Sequence, residues 1–408
     1  MKIWHPYTQE ATEPPPIPID QGKGAYLYTR DGRRLIDGIS SWWVNLHGHG
    51  HPLIAAAIAA QACKLEHVIF AGFTHEAAEE LAERLARILP AELDRVFYSD
   101  NGSTAVEAAL KIAIQYWYNQ GQTKKHRIVA LEHAYHGDTI GAMSVSADSP
   151  FTAAFEVLRL PVFRVRNAAE LEELVSKRED EIAAMIVEPL VQGAGGMKMY
   201  PASELKRFQQ LCAEHSVLLI ADEVFTGLGR TGRMFACEHA GITPDLMCIS
   251  KGLTGGFLPF AVTVCRSEIY SAFHSTDRSR TFFHGHSYSG NPLGCAAANA
   301  TLKIFETEPV FERITAIERI HEARLADFRQ HPTVVDARML GTISAIELRT
   351  GDPGYVSSVR SRLYNFFIEH GVLLRPLGNV VYIVPPYVIR QDDLHYTYEI
   401  VGKALDIL

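Results

Sequence analysis

From about residue 53 the chain alternates amphipathic helical stretches with short apolar runs: RVFYS (95–99), RIVAL (127–131), IAAMIVE (182–188), VLLIADE (217–223) and LMCIS (246–250). Runs this short, bounded by turn residues and separated by helices, are strands buried on both faces, and the intervening helices make the crossovers that parallel pairing needs. The predicted fold class is α/β, with a large domain over 53–302 built on a mostly parallel sheet covered by helices.

The flanks read differently. The run EPPPIP (13–18) can form neither helix nor central strand, so it predicts an extended crossing segment. After it, GAYLYTRDGRRLIDG predicts two short strands joined at Asp31-Gly32, a hairpin turn signal. Beyond 302 come a long charged helical pattern, GTISAIEL (341–348), a helix near 356–370, GVLLRPLG, VVYIVPP and a final helix. This texture predicts a smaller α+β domain over 303–408, joined by the N-terminal segment 1–52.

Composition narrows the function classes. A 408-residue chain that is 47% hydrophobic can bury a large core. Its net charge of −8 (39 basic against 47 acidic residues) comes without a basic tract, so neither nucleic acid nor membrane is expected as partner. No stretch offers a membrane-spanning apolar run, and MKIWHPYTQEATEPPP lacks the apolar centre of a signal peptide, so a cytoplasmic protein is expected. The six cysteines, at 63, 212, 237, 248, 265 and 295, are scattered in mostly apolar surroundings and read as reduced packing residues.

In an open α/β sheet, ligands sit outside the carboxyl ends of the strands. Asp222 closes VLLIAD and Lys251 closes LMCISK, which places a carboxylate and an amine on one sheet edge. An arbitrary Asp–Lys pair is more often a buried ion pair, but four further features alter the balance. Asn101-Gly102-Ser103 follows a strand and precedes a helix, with a capping box predicted from Thr104 to Glu107; a helix N-terminus of this kind suits phosphate. Tyr135 and His136 in EHAYHGDT follow another strand, where an aromatic ring can stack on a planar ligand. Arg230 lies in the glycine-rich EVFTGLGRTG, and Ser287 in HGHSYSGNPLG precedes a helix. Phosphate cradle, aromatic plate, carboxylate and amine together describe a site for pyridoxal 5'-phosphate, whose aldehyde needs a lysine and whose ring nitrogen needs an acidic partner.

DEVFTGLGRTG, SKGLTGG and SGNPLGC resemble the class III aminotransferases of the fold-type I pyridoxal-phosphate enzymes, and the resemblance spans nearly the whole chain. It implies a seven-stranded-type sheet in the large domain and a homodimer with active sites at the subunit interface. WHPYTQ (4–9), SSWWVNLHGHGHP, AYHGDT and RPLGNVVYIVPPY resemble the branch that aminates 8-amino-7-oxononanoate in biotin biosynthesis, with S-adenosylmethionine as amino donor. The resemblance implies Lys251 as the lysine that bonds the cofactor, Asp222 as partner of its ring nitrogen and Tyr135 stacked on the ring. Gly102 and Ser103 would hold the phosphate, joined by His286 and Ser287 from the neighbouring subunit. Trp42, Gly285 and Arg375 would contact substrate, the arginine gripping a carboxylate. Tyr7 would stand at the entrance against the donor's adenine, with Trp43, Tyr382 and Arg230 completing the wall. Lysine as donor, and an ω-amino acid or diamine substrate, stay open as alternatives. A non-catalytic pyridoxal-phosphate protein is opposed by the intact Lys251, Asp222 and Arg375.

The stretch GISSWWVNLHGHGHP (38–52) carries His47, His49 and His51 at alternate positions. No cysteine or carboxylate completes a ligand set and glycines interrupt the run, so the histidines read as structural rather than metal-binding. Trp42 and Trp43 are expected in one pocket wall, whereas strand geometry sends neighbouring side chains to opposite faces. If both line one wall, the backbone there must bend.

Overall fold

The computed structural model describes residues 2–351, 357, 359–406 and 408. All five apolar runs form strands of one seven-stranded sheet. Its order is Leu93–Ser99, Ala261–Arg266, Leu246–Ile249, Leu218–Asp222, Ile182–Val187, Arg127–Leu131 and Val162–Val165. Ala261–Arg266 is antiparallel to both neighbours, and the other pairs are parallel. Two of the seven lie outside the five runs: VFRV is a short edge strand carrying an arginine, and AVTVCR continues the apolar texture of its flanks.

Alternate residues of the strands feed two cores. Ile128, Ala184, Ile220 and Cys248 lie with Ala105, Val106, Ala109 and Ala113 of helix Gly102–Asn119, whose small side chains let it approach the sheet closely. Val129, Met185, Leu219 and Met247 face the opposite core. Five of the cysteines are buried and Cys63 is exposed; all are free.

The expected hairpin forms between Tyr26–Thr29 and Arg34–Asp37, with Gly32 taking positive φ (85°) at the turn. It belongs to a four-stranded sheet that also holds Ile19–Lys23 and, from the far end of the chain, Val372–Leu373. The latter pairs parallel to Arg34–Asp37, Val372 beside Ile36 and Leu373 beside Asp37. A three-stranded antiparallel sheet of Val334–Leu340, Ile343–Leu348 and Val380–Ile383 completes the C-terminal part, with helices Val310–Phe328 and Gln391–Asp406. The expected helix near 356–370 is Val359–Glu369, positions 356 and 358 lying outside the described residues.

Candidate active site

Parallel strands bring their carboxyl ends to one edge, and Ser99, Leu131, Val187, Asp222 and Ile249 all end there. Lys251 follows Leu246–Ile249 with a left-handed backbone (φ 46°), which throws its side chain back over the sheet edge. Its Nζ lies 4.9 Å from the Trp43 ring centroid and 5.7 Å from that of Phe225. Burial among these rings lowers its pKa to about 8, against the opposite pull of Asp222 and Glu188. An amine so poised can exchange protons near neutral pH.

Asp222 is held from two sides: Oδ1 accepts the Val224 N–H (3.1 Å) and Oδ2 stands 2.7 Å from His136 Nδ1. Glu188 follows the next strand. Its two oxygens accept the N–H groups of Tyr135 and Gly193, both at 2.9 Å, and burial raises its pKa to about 7. His136 and Glu188 stood outside the candidate set. The signal that finds them is the one that finds Asp222, a polar residue shortly after a buried strand, but a strand-end polar group that only holds backbone looks the same in sequence.

At the other end of this cavity, helix Gly102–Asn119 begins. The capping box is Asn101 with Thr104, not Thr104 with Glu107: Asn101 Oδ1 accepts Thr104 N–H (3.0 Å) and Thr104 Oγ1 accepts Asn101 N–H (3.1 Å). The helix thus starts earlier than expected, and Glu107 reaches across to the N–H of Gly141. Gly102 and Ser103 become the first helical residues, whose N–H groups a helix cannot satisfy itself. Gly137 closes over them (φ 130°), and a Cβ there would lie 2.1 Å from Ser103 Oγ.

The two tryptophans sit on an uncommon piece of backbone. Ser40, Ser41, Trp42 and Trp43 have φ of 51°, 45°, 74° and 72°, a complete left-handed turn without glycine. Each such residue costs roughly 1–2 kcal/mol. A helical turn sets successive side chains about 100° apart, where a strand would set them 180° apart. Trp42 and Trp43 therefore both face one chamber of about 320 Å³, with Tyr7, Tyr135, Arg375 and Tyr382. An inner cavity of about 290 Å³ holds Gly102, Ser103, His136, Glu188 and Asp222. Lys251, Tyr135 and Trp43 line both, so the amine stands at the junction.

In the outer chamber Trp43 is fixed by Phe225 (centroids 4.3 Å) and Tyr382 (5.9 Å). The Arg375 guanidinium lies 5.2 Å from the Trp42 ring and donates to the Tyr7 carbonyl (3.4 Å). Among the described residues no carboxylate pairs with it. Tyr7 packs edge-on against Trp42 and Phe151, and its hydroxyl bonds Asp138 and lies 3.4 Å from that of Tyr135.

One expectation changes. Arg230 is not in the wall: it is buried behind it, donating to the carbonyls of Trp43 (3.1 Å), Asn45 (3.4 Å) and Pro385 (2.8 Å). The glycine-rich loop that carries it turns inward, so the guanidinium serves backbone rather than ligand. Gly285, His286 and Ser287 line neither chamber; they are exposed, with His286 Nε2 3.9 Å from Asp100.

The family aminotransferase class-III matches residues 7–405. The chain belongs to that family. This aminotransferase is 48% identical over 420 residues to the adenosylmethionine-8-amino-7-oxononanoate aminotransferase of Synechococcus elongatus, covering 99% of the chain and 98% of that relative. It is 41% identical to the enzyme of that name from Geobacter sulfurreducens, covering 99% and 95%. Its fold is similar to that of the same-named enzyme of Methanocaldococcus jannaschii DSM 2661, with a TM-score of 0.95 at 36% identity, covering 100% of this chain and 97% of the other. An amine transaminase from an uncultivated Pseudomonas species, in its PLP-bound form, gives 0.94 at 31%, covering 100% and 99%.

Class III aminotransferases depend on pyridoxal phosphate, and the residues present fit it. The free amides of Gly102 and Ser103 suit a phosphate. The glycine at 137 leaves backbone room beside them, and Asp222 offers its carboxylate within the same cavity as the Lys251 amine. Within this cavity His136 Nε2 is buried without a hydrogen-bond partner among the described residues.

Proposed function

We propose that this aminotransferase moves the amino group of S-adenosylmethionine to the ketone carbon of 8-amino-7-oxononanoate, giving 7,8-diaminononanoate for biotin. One observation carries the reading: an aromatic chamber opens beside the Lys251 amine and holds a single arginine with no carboxylate partner among the described residues. A long aliphatic acid matches that chamber, its chain along the tryptophans and its carboxylate on Arg375. The relatives named for this reaction, similar over nearly their full length, support it.

When bound, pyridoxal phosphate supplies an aldehyde that captures amines and a protonated ring that takes up the electron pair left by a departing proton. The chain does the rest. Gly102 and Ser103 would hold the phosphate, Tyr135 would cover the ring, and Asp222, oriented by His136 and the Val224 amide, would accept from the ring nitrogen. Lys251 Nζ would move the proton between the donor's α-carbon and the carbon on the far side of the transferred nitrogen, and in the reverse direction for the acceptor. Trp43 and Tyr382, both buried, would keep water from the inner wall of the outer chamber, with Tyr7 and Trp42 at its exposed side. We assign Gly285, His286 and Ser287 to the site of a second subunit in a homodimer, which accounts for their exposure in a single chain. Among the described residues no helix is long and apolar enough to cross a membrane, and we place the enzyme in the cytoplasm.

The test is a half-reaction. Loaded with cofactor, the protein is mixed separately with S-adenosylmethionine, lysine and an ω-amino acid. Loss of the visible cofactor band with S-adenosylmethionine is expected; loss with lysine or the ω-amino acid alone overturns the donor assignment.

A further inference from the structure

A left-handed turn of four non-glycine residues has to be held at both ends, because L-residues relax toward right-handed backbone when released. At its leading end stands Asp37, fully buried at the close of strand Arg34–Asp37. Its Oδ1 accepts the N–H groups of Ile39 (3.3 Å) and Ser41 (3.0 Å). Its Oδ2 accepts Ser41 Oγ–H (2.8 Å) and stands 2.9 Å from His49 Nε2. His49 Nδ1 lies 3.2 Å from Asn45 Nδ2. Whichever way that amide is turned, Nε2 carries the proton, because the carboxylate it faces already takes three donors and offers only lone pairs. At the trailing end Arg230 grips the carbonyls of Trp43 and Asn45. Negative charge meets the turn's free N–H groups and positive charge its free carbonyls, the same logic by which charges cap right-handed helices.

The backbone of His49 is placed independently of its side chain. Its N–H and C=O bond those of Gly24 at 2.8 and 3.0 Å, and Gly22 lies so close that a Cβ there would be 2.8 Å from His49 Cβ. Among the described residues, the imidazole's contacts with Asp37 and Asn45, and its 3.5 Å approach to Ser41 Oγ, are what join it to the turn.

We propose that His49, acting through Asp37, is a positioning residue that determines substrate selectivity: it locks the left-handed turn so that Trp42 and Trp43 together shape the chamber ending at Arg375. The proposal rests on the reading of that chamber as the substrate's. The holoenzyme is compared with His49→Leu, which keeps bulk but loses the donor, and with His49→Gln, whose amide nitrogen can stand where Nε2 stands. In H49L the KM for 8-amino-7-oxononanoate is expected to rise about tenfold or more while kcat at saturation stays within about threefold, since a displaced binding wall weakens ground state and transition state alike. H49Q restores KM, and both variants keep the visible cofactor band. An unchanged KM in H49L overturns the proposal, as does a common fall of kcat and cofactor content that H49Q fails to repair. Should H49L not fold, Ser41→Ala removes one bond to Asp37, and its KM must rise in the same direction or the proposal falls. If the wild type does not turn over this substrate, the assigned reaction fails on its own. The near-ultraviolet circular dichroism of the tryptophans then decides the positioning role: altered in H49L and restored in H49Q supports it, unaltered in H49L refutes it.

Discussion

Replacing Lys251 by methionine in the cofactor-free protein should make it more stable at neutral pH, and the size of the gain follows from the site. Burial holds the lysine at about 8 instead of 10.5, even with Asp222 and Glu188 pulling the other way. The protonated form is therefore the one the fold disfavours. For a base with a depressed folded value the penalty is absent above the unfolded pKa, grows as pH falls, and is complete below the folded one. Each tenfold change in proton affinity is worth about 1.4 kcal/mol, so the full penalty is about 3 kcal/mol, or about 2–3 kcal/mol once screening by the open chambers is allowed for. Urea unfolding of wild type and K251M at matched protein concentration, from pH 7 to 10.5, measures it. Packing differences between lysine and methionine enter as a constant offset, so the prediction is the slope. K251M should lead by about 2–3 kcal/mol more at pH 7 than at pH 10.5. A difference that does not change with pH refutes the claim that the surroundings disfavour the charged amine, and with it the account of how Lys251 becomes a base.

Glu188 predicts the mirror image. Its carboxyl is raised to about 7, so the stability it lends is complete below about 4.5 and is lost as pH rises through 7; relative to Glu188→Gln, wild type should weaken by about 3 kcal/mol between pH 4.5 and 8 in the same unfolding assay. Arg375→Met should raise the KM for 8-amino-7-oxononanoate about 10- to 100-fold, the worth of charge-assisted hydrogen bonds to a carboxylate, with a smaller change in kcat by steady-state kinetics. His136→Phe leaves the buried Asp222 without its imidazole partner and should cost about 3 kcal/mol of stability, read by thermal or urea unfolding. An effect near zero there would mean that the His136–Asp222 contact carries little energy.

The large sheet was legible because its central strands, such as Ile182–Val187 and Leu246–Ile249, are apolar and buried on every residue, and no exposed face dilutes the pattern there. The edge strand Val162–Val165 escaped because four residues with an arginine among them leave almost no pattern. Lys251 and Asp222 were legible for the same reason as the strands: each is the polar residue at which a buried run stops. Arg230 was misread because a glycine-rich loop beside a site can turn its arginine toward ligand or toward backbone, and only the three carbonyls around it decide. The left-handed turn was visible only as a contradiction: two adjacent tryptophans wanted in one wall by resemblance and forbidden there by strand geometry. Nothing in SSWW favours left-handed backbone, since the residues that enforce it, Asp37, His49 and Arg230, come from before, after and far beyond it.

The same sheet that supplies Asp37 also supplies Arg375. Val372–Leu373 pairs with Arg34–Asp37 so that Leu373 stands beside Asp37. From that level one chain continues into the tryptophan turn and the other, two residues on, into the arginine. The pairing of these two strands thereby fixes the points from which the aromatic wall and the cation depart. A slip of one residue in that pairing would move Arg375 along the chamber by about 3.3 Å and turn it to the other face. The strained turn then has a reason to be where it is. It leaves the sheet at a residue whose carboxylate holds it, and in that short space brings both rings into the chamber that Lys251 lines, Trp43 beside the amine and Trp42 beside the arginine.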